Sequence, residues 1–164
     1  MPKNSSNSRR RLLGVGLFGL AGGARLQAQS AGPWLPKKEA AGLQPGQSTE
    51  GALLSSCIRS GHLLFVSGIG GWYPDRRKEP GDARVQMSSA LAILKETLER
   101  AGSSLDHVLK VSVALVDPDQ NFEAMNEGYR GVFTKTPPAR SYFGATGFRR
   151  RGQLLQVDAI AYVD

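Results

Sequence analysis

Residues 82–102 read DARVQMSSALAILKETLERAG, and this stretch decides how the chain folds. Its apolar residues recur at alternating steps of four and three, the spacing of one face of an α-helix: Met87, Leu91, Leu94, Leu98 and Ala101. Asp82 is suited to cap the start of this helix, and Gly102 to end it with a left-handed residue. Because Lys95 and Glu99 fall on the other face, we expect the helix to cover one side of a sheet.

Strand and helix patterns alternate after this helix. Val111, Val113 and Leu115 alternate with less apolar residues and predict a strand. A second helical stripe follows, and Pro137-Pro138 is expected to stop that helix because proline lacks the amide donor. The stripe consists of Phe122, Asn126, Tyr129 and Phe133.

Two further strands complete the C-terminal half. One is expected to start near Arg140 and to run toward Ala145. In residues 154–163 every second residue is apolar, which predicts a strand with Gln156 and Asp158 together on its other face.

Toward the N-terminus, residues 53–58 and 63–67 form two short apolar segments. The four residues between them include Gly61, so they predict a β-hairpin. The order of elements gives an α+β fold, with a mixed β-sheet and two helices packed on one face. Apolar residues on both faces of such a sheet lead us to expect a homo-oligomer.

Charge and composition exclude several classes of function. Five of the 21 basic residues lie in the first 30 residues and all 14 acidic residues follow them, so the remainder carries a net charge of only +2. A nucleic-acid partner is therefore not indicated. Cys57 is the single cysteine and is interpreted as a buried strand residue, while His62 and His107 are far apart in sequence. We expect no metal site and no other cofactor.

The N-terminus has the order of an export signal. Residues 8–14 read SRRRLLG, a weakly apolar run covers residues 12–24, and Ala28-Gln29-Ser30 follows. The paired arginines resemble the twin-arginine type, so residues 1–30 are predicted to be a signal peptide and the mature protein to be periplasmic or otherwise exported. A disordered basic tail is the alternative. The apolar run is too short for a permanent membrane span.

Residues 31–50 show neither period and are interpreted as a linker or an irregular edge segment. Residues 51–164 then contain several pieces that together resemble the RidA/YjgF family, also called the perchloric-acid-soluble ribonuclease family. The pieces are LFVSG at 64–68, Gln86, AGSSLD at 101–106, Phe122 with NEGY at 126–129, PARS at 138–141 and VDAIA at 157–161.

This resemblance implies a chorismate-mutase-like fold assembled as a homotrimer, with ligand clefts between subunits. It implies hydrolysis of small enamines and imines to 2-oxo acids and ammonia. A non-catalytic module that binds small carboxylate metabolites is the alternative, and endoribonuclease activity is the less favoured third.

The resemblance also implies roles for individual residues. Arg140 would clamp the substrate carboxylate, because a guanidinium meets a carboxylate with two parallel hydrogen bonds; a structural ion pair is the alternative. Ser67 and Asn126 match positions that line the cleft. Ser67 is alternatively a strand-ending residue, and Asn126 a satisfied core residue.

Two departures from the family pattern bear on mechanism. Gln156 stands where active members carry a glutamate, and Leu54 where they carry a tyrosine. An amide cannot act as a general base at neutral pH, although Gln156 can orient a water. Asp158 lies on the same face and joins the ligand-binding candidates. Phe143 and Phe148 are assigned to core packing, with an apolar wall of the cleft as the alternative, and the basic run at residues 149–151 to a solvated turn.

Overall fold

A computed structural model describes residues 37–71 and 79–164 of the chain. These residues form a mixed sheet with two α-helices, which confirms the predicted fold class. The strands are β1 (Lys38–Ala40), β2 (Cys57–Ser60), β3 (Leu63–Gly70), β4 (Val108–Val116), β5 (Ala139–Ala145) and β6 (Leu155–Tyr162). The helices are α1 (Ala83–Arg100) and α2 (Pro118–Tyr129), and a 3-10 turn occupies Leu105–His107.

The sheet has the strand order β1-β2-β3-β6-β4-β5. Neighbouring strands are antiparallel, except that β4 and β5 are parallel. The last strand in sequence, β6, therefore lies near the centre, and the strand that carries Arg140 lies at one edge.

Helix α1 covers one face of this sheet as its sequence predicts. The amide of Val85 donates to the Asp82 carboxylate over 2.8 Å, so Asp82 is the N-cap. Gly102 has φ +81°, the left-handed conformation that ends the helix. The apolar stripe packs into the core against buried residues of β3, β4 and β6, among them Leu64, Val113 and Val157.

Helix α2 is shorter than its stripe predicts. It ends at Tyr129 rather than at the prolines, so the prediction that Pro137-Pro138 stops the helix was wrong. Phe133 lies beyond the helix end, although its ring still contacts that of Tyr129 at 5.1 Å between centroids. Gly131, at φ +78°, lies between them, where the chain has already left the helix.

The first hairpin also differs from its prediction. Strand β2 begins at Cys57 and not at residue 53. Leu53 and Leu54 join no strand, and their side chains are 97% and 69% exposed. Within the segment interpreted as a linker or edge segment, β1 pairs with β2 at the edge of the sheet. Cys57 is fully buried, as predicted, and burial raises the pKa of its thiol.

The predicted signal peptide at residues 1–30 lies outside the described residues, as do residues 72–78. Within the described part of the chain, neither helix is long and apolar enough to cross a membrane.

Candidate functional site

Arg140 is held against helix α2 by uncharged groups. Its Nη2 donates to Oδ1 of Asn126 over 2.8 Å, and its Nη1 lies 3.9 Å from the sulfur of Met125. The guanidinium carbon stands 4.6 Å from the centre of the Tyr129 ring, a cation–π distance. These contacts explain the polar member of the α2 stripe, since Asn126 turns its oxygen toward the arginine.

No carboxylate neutralises Arg140 among the residues that the structure describes. The alternative of a structural ion pair therefore finds no support in this part of the chain. Two of five N–H donors are engaged by Asn126 and Met125, so the half-buried guanidinium keeps donors for an anion. Burial raises the pKa of Tyr129, and the positive charge of Arg140 partly offsets that effect.

A separate pocket of about 690 Å³ opens beside strands β3 and β6. Two apolar side chains, two glycines, two amides and two arginines line it: Leu54, Phe148, Gly68, Gly70, Gln153, Gln156, Arg149 and Arg150. None of these lining residues is acidic. The described lining therefore offers guanidinium and amide groups to solvent.

The two glycines make room for the two amides. A Cβ atom on Gly68 would lie 2.1 Å from Nε2 of Gln156, and one on Gly70 would lie 2.9 Å from Nε2 of Gln153. Real Cβ atoms do not approach so closely, so both amide side chains can lie across β3 only because glycine stands there.

Gln86 fixes the loop that forms one wall of this pocket. Its fully buried side-chain amide donates to the carbonyl oxygens of Gly81 and Gly152 over 3.0 and 2.9 Å, and its Oε1 accepts from the amide of Leu154 over 2.9 Å. Helix α1 and the segment between β5 and β6 are thereby tied together. The wall is consequently positioned by a buried, fully bonded side chain.

Arg140 and the pocket are separated within one chain. Arg140 is in register with Val111 on β4, whereas Gln156 is in register with Ala114. The two Cα atoms are therefore two strands and three residues apart, roughly 14 Å at ~4.8 Å per strand and ~3.3 Å per residue. Arg140 faces α2, while Gln156 lies on the opposite face from the buried residues of β6. One protomer thus carries two half-sites.

Comparison with known proteins assigns the chain to a family. The family model described as endoribonuclease L-PSP matches residues 49–163. The chain belongs to this family, the RidA/YjgF family. It is 30% identical over 108 residues to the mouse 2-iminobutanoate/2-iminopropanoate deaminase, covering 65% of this chain and 78% of the mouse protein.

Two further relatives agree. The mitochondrial protein mmf2 of Schizosaccharomyces pombe is 33% identical over 113 residues, which is 68% of this chain and 88% of that protein. The crystal structure of yeast Mmf1 superposes with a TM-score of 0.66 at 26% identity, covering 78% of this chain and all of that one. The RidA/YjgF fold predicted from sequence is thereby confirmed.

The site residues predicted from the RidA/YjgF resemblance are divided between the two half-sites. Arg140 and Asn126 form one, and Gln156 lies in the other together with Leu54, the second departure from the family pattern. Ser67 does not end its strand, since β3 continues to Gly70. Its hydroxyl donates to the carbonyl oxygen of Ser55 over 2.6 Å and holds the segment before β2. Asp158 lies on the same face as Gln156 but does not line the pocket.

Sequence reasoning missed part of the pocket wall. Phe148 lines the pocket, which agrees with the alternative of an apolar wall, whereas Phe143 is 55% exposed and belongs to neither the core nor this pocket. Arg149 and Arg150, interpreted as part of a solvated turn, line the same pocket. The buried Gln86 was noted only as a family match, although a glutamine between apolar helix positions is a sequence signal for such a clamp. Among the described residues no group of His, Cys, Asp and Glu could hold a metal ion.

Proposed function

We propose that the protein hydrolyses small 2-imino acids, and their enamine tautomers, to 2-oxo acids and ammonia in a cleft between two copies of the chain. One observation carries the proposal: the guanidinium of Arg140 is oriented by Asn126, Met125 and Tyr129 with no carboxylate among the described residues to neutralise it. Such a fork is suited to the carboxylate that every 2-imino acid carries.

The open face of the sheet supports assembly from several copies, which we propose to be a homotrimer. Leu63 and Phe65 are 39% and 42% exposed there beside the half-buried Ile160, and Phe143 is 55% exposed elsewhere on the same face. Exposed large apolar side chains on an open sheet face are typical of a protein interface. Association through this face would allow Arg140 of one copy to approach the Gln156 pocket of another.

The reaction needs orientation more than a strong base. The oxygen of a water adds to the imine carbon, the carbon–nitrogen bond breaks, and the nitrogen leaves as ammonia with protons from the water, so no oxidant or cofactor is consumed. Arg140 would hold the carboxylate, and the Gln156 amide, which makes no hydrogen bond to another described residue, would orient the water.

A binding module for 2-oxo acids is the second candidate. It is favoured by the composition of the pocket, because none of the described lining residues can serve as a general base near neutral pH. Binding needs only the arginine fork and a shaped cavity, and both candidates therefore share the same ligand class.

Imines made in place by an amino-acid oxidase test the proposal. Residues 31–164 should accelerate release of the 2-oxo acid. Arg140→Ala should lower this rate at least tenfold, and Arg140→Lys should cause most of the same decrease, since lysine keeps the charge but not the fork. Arg130→Ala, at an exposed position just after α2, is the matched control and should act as wild type.

Equal rates for wild type and Arg140→Ala would remove the deaminase proposal. If those rates are equal while the wild type alone still binds 2-oxobutanoate, the binding module is the correct function. Restoring a carboxylate with Gln156→Glu should raise the rate if the missing base limits turnover.

We also propose that residues 1–30 direct export by the twin-arginine route, on the sequence order alone. Cell fractionation of the full chain checks this against a variant in which Arg10 and Arg11 are replaced by lysine. If the full chain and the lysine variant both stay in the cytoplasmic fraction, the export proposal is refuted.

A further inference from the structure

The pocket at β3 and β6 is larger than the smallest imino acids require. A three-carbon 2-imino acid has six non-hydrogen atoms and needs at most about 180 Å³ if each takes the volume of a water. The pocket measures about 690 Å³, within the range of sites for larger ligands. Part of its wall therefore faces a portion of the ligand beyond the reacting carbon, the neighbouring copy or solvent.

Two arginines lie on that wall. Arg149 and Arg150 both line the pocket, and no described lining residue carries a negative charge. No acidic side chain among the described residues pairs with Arg149. Guanidinium groups at the side of a concave site attract and orient anions.

The backbone that carries these arginines is also held in place by the fold. The amide of Gln153 donates to the Arg150 carbonyl over 3.1 Å, and the Gln153 side chain donates to the Leu155 carbonyl over 3.0 Å. The buried Gln86 binds both Gly152 and Leu154 in the same segment. A merely solvated turn would not need a buried clamp, so this segment is built to present its side chains at the pocket.

We infer that the preferred ligand carries a second carboxylate: a four- or five-carbon dicarboxylic 2-imino acid or the corresponding 2-oxo acid. This inference rests on the proposed function, because it leaves the first carboxylate to Arg140. Arg149, with Arg150 beside it, receives the distal carboxylate, and Leu54 and Phe148 border the carbon chain between the two. Arg149 is thus a specificity-determining residue outside the reacting centre.

Two ligands of equal chain length test the inference. 2-Oxoglutarate and 2-oxopentanoate each have five carbons and differ in the distal carboxylate, so calorimetric titration of residues 31–164 isolates its contribution. The wild type should bind 2-oxoglutarate about fivefold to tenfold more tightly, the range for a partly exposed arginine–carboxylate pair. Arg149→Gln should remove most of this ratio, because it weakens the binding of 2-oxoglutarate more than that of 2-oxopentanoate.

Arg151→Gln is the matched control, because Arg151 is exposed in the same segment but does not line the pocket. It should preserve the ratio; an equal loss in both variants would mean that general charge attraction, not a built subsite, sets the preference, and would overturn the inference. Equal wild-type affinities for the two ligands would overturn it as well.

Arg140→Ala distinguishes a failure of the proposed function from a failure of the second-carboxylate inference. It should weaken both ligands by a similar factor. If both ligands bind the wild type equally and Arg140→Ala weakens both, the proposed function stands and the second-carboxylate inference fails. If neither ligand binds the wild type, both fail.

Discussion

Replacing Gln86 by methionine should destabilise the protein through lost hydrogen bonds alone. The side chains have similar length and volume, so the substitution leaves no large cavity. It removes two donations, to the carbonyl oxygens of Gly81 and Gly152, and one acceptance, from the amide of Leu154. Two of these bonds join the start of α1 to the segment between β5 and β6, and the third binds Gly81 just before the helix.

The expected loss is about 2–3 kcal/mol. A net intramolecular hydrogen bond contributes ~1 kcal/mol, and a buried group left without a partner costs more. Gly81 and Gly152 are exposed, so their freed carbonyl oxygens can bind water and lower the total. The amide of Leu154 is only half-buried, which again keeps the value near the sum of three ordinary bonds.

Urea unfolding at one fixed protein concentration measures this change, because association makes the apparent stability depend on concentration. Gln120→Met is the control: Gln120 is exposed, its side chain makes no hydrogen bond to a described residue, and its replacement should change the free energy of unfolding by less than ~0.5 kcal/mol. A loss under ~1 kcal/mol for Gln86→Met would refute the role of Gln86 as the clamp.

Three further outcomes follow from the structure. Gly68→Ala should push the Gln156 side chain out of its place, because the new Cβ would lie 2.1 Å from Nε2; 2-oxobutanoate affinity should fall about threefold or more at a stability cost near 1 kcal/mol, and unchanged affinity would contradict the placing of Gln156. Asp82→Ala should lower the free energy of unfolding, measured in urea, by about 1 kcal/mol, because it removes the acceptor for the Val85 amide. Asp82→Asn should lose much less, since asparagine also caps helices, and equal losses would argue against a capping role. Burial raises the pKa of Tyr129 above that of the unfolded chain, so the stability that its neutral form contributes is complete below pH ~10 and is lost as the pH rises through the folded pKa. Tyr129→Phe should therefore flatten the dependence of the free energy of unfolding on pH in this range. A dependence that the substitution leaves unaltered would assign it to other groups.

Local periodicity was sufficient to predict most of the fold. The stripe from Met87 to Leu98 and the alternation from Leu155 to Val163 each match a single buried face, so sequence alone located α1 and β6. Where apolar residues do not enter the core, the same reasoning failed. Leu53 and Leu54 extend the apolar pattern of β2 but stand exposed, and Phe133 continues the α2 stripe beyond the end of the helix.

The candidate site was predictable only in part. Arg140 and Asn126 came from family resemblance, and their contact follows from the packing of α2 on β5. The roles of Phe148 and Arg149 depend on where the segment between β5 and β6 settles, which long-range bonds to Gln86 determine. Similarly, only the neighbouring strand β6 and the segment before it show that Gly68 and Gly70 accommodate two amides.

Mixing two inactive variants tests most directly whether the site is shared between copies. Arg140→Ala removes one half-site, and Leu54→Trp fills the other from an exposed position that leaves the core intact. Each variant alone should fail to bind 2-oxobutanoate. After the two are unfolded together and refolded at equal amounts, about a quarter of the wild-type binding capacity should return, since random assembly places an intact Arg140 beside an intact pocket in that share of interfaces. Persistent absence of binding in the refolded mixture, or undiminished binding by Leu54→Trp alone, would contradict a site built from two protomers.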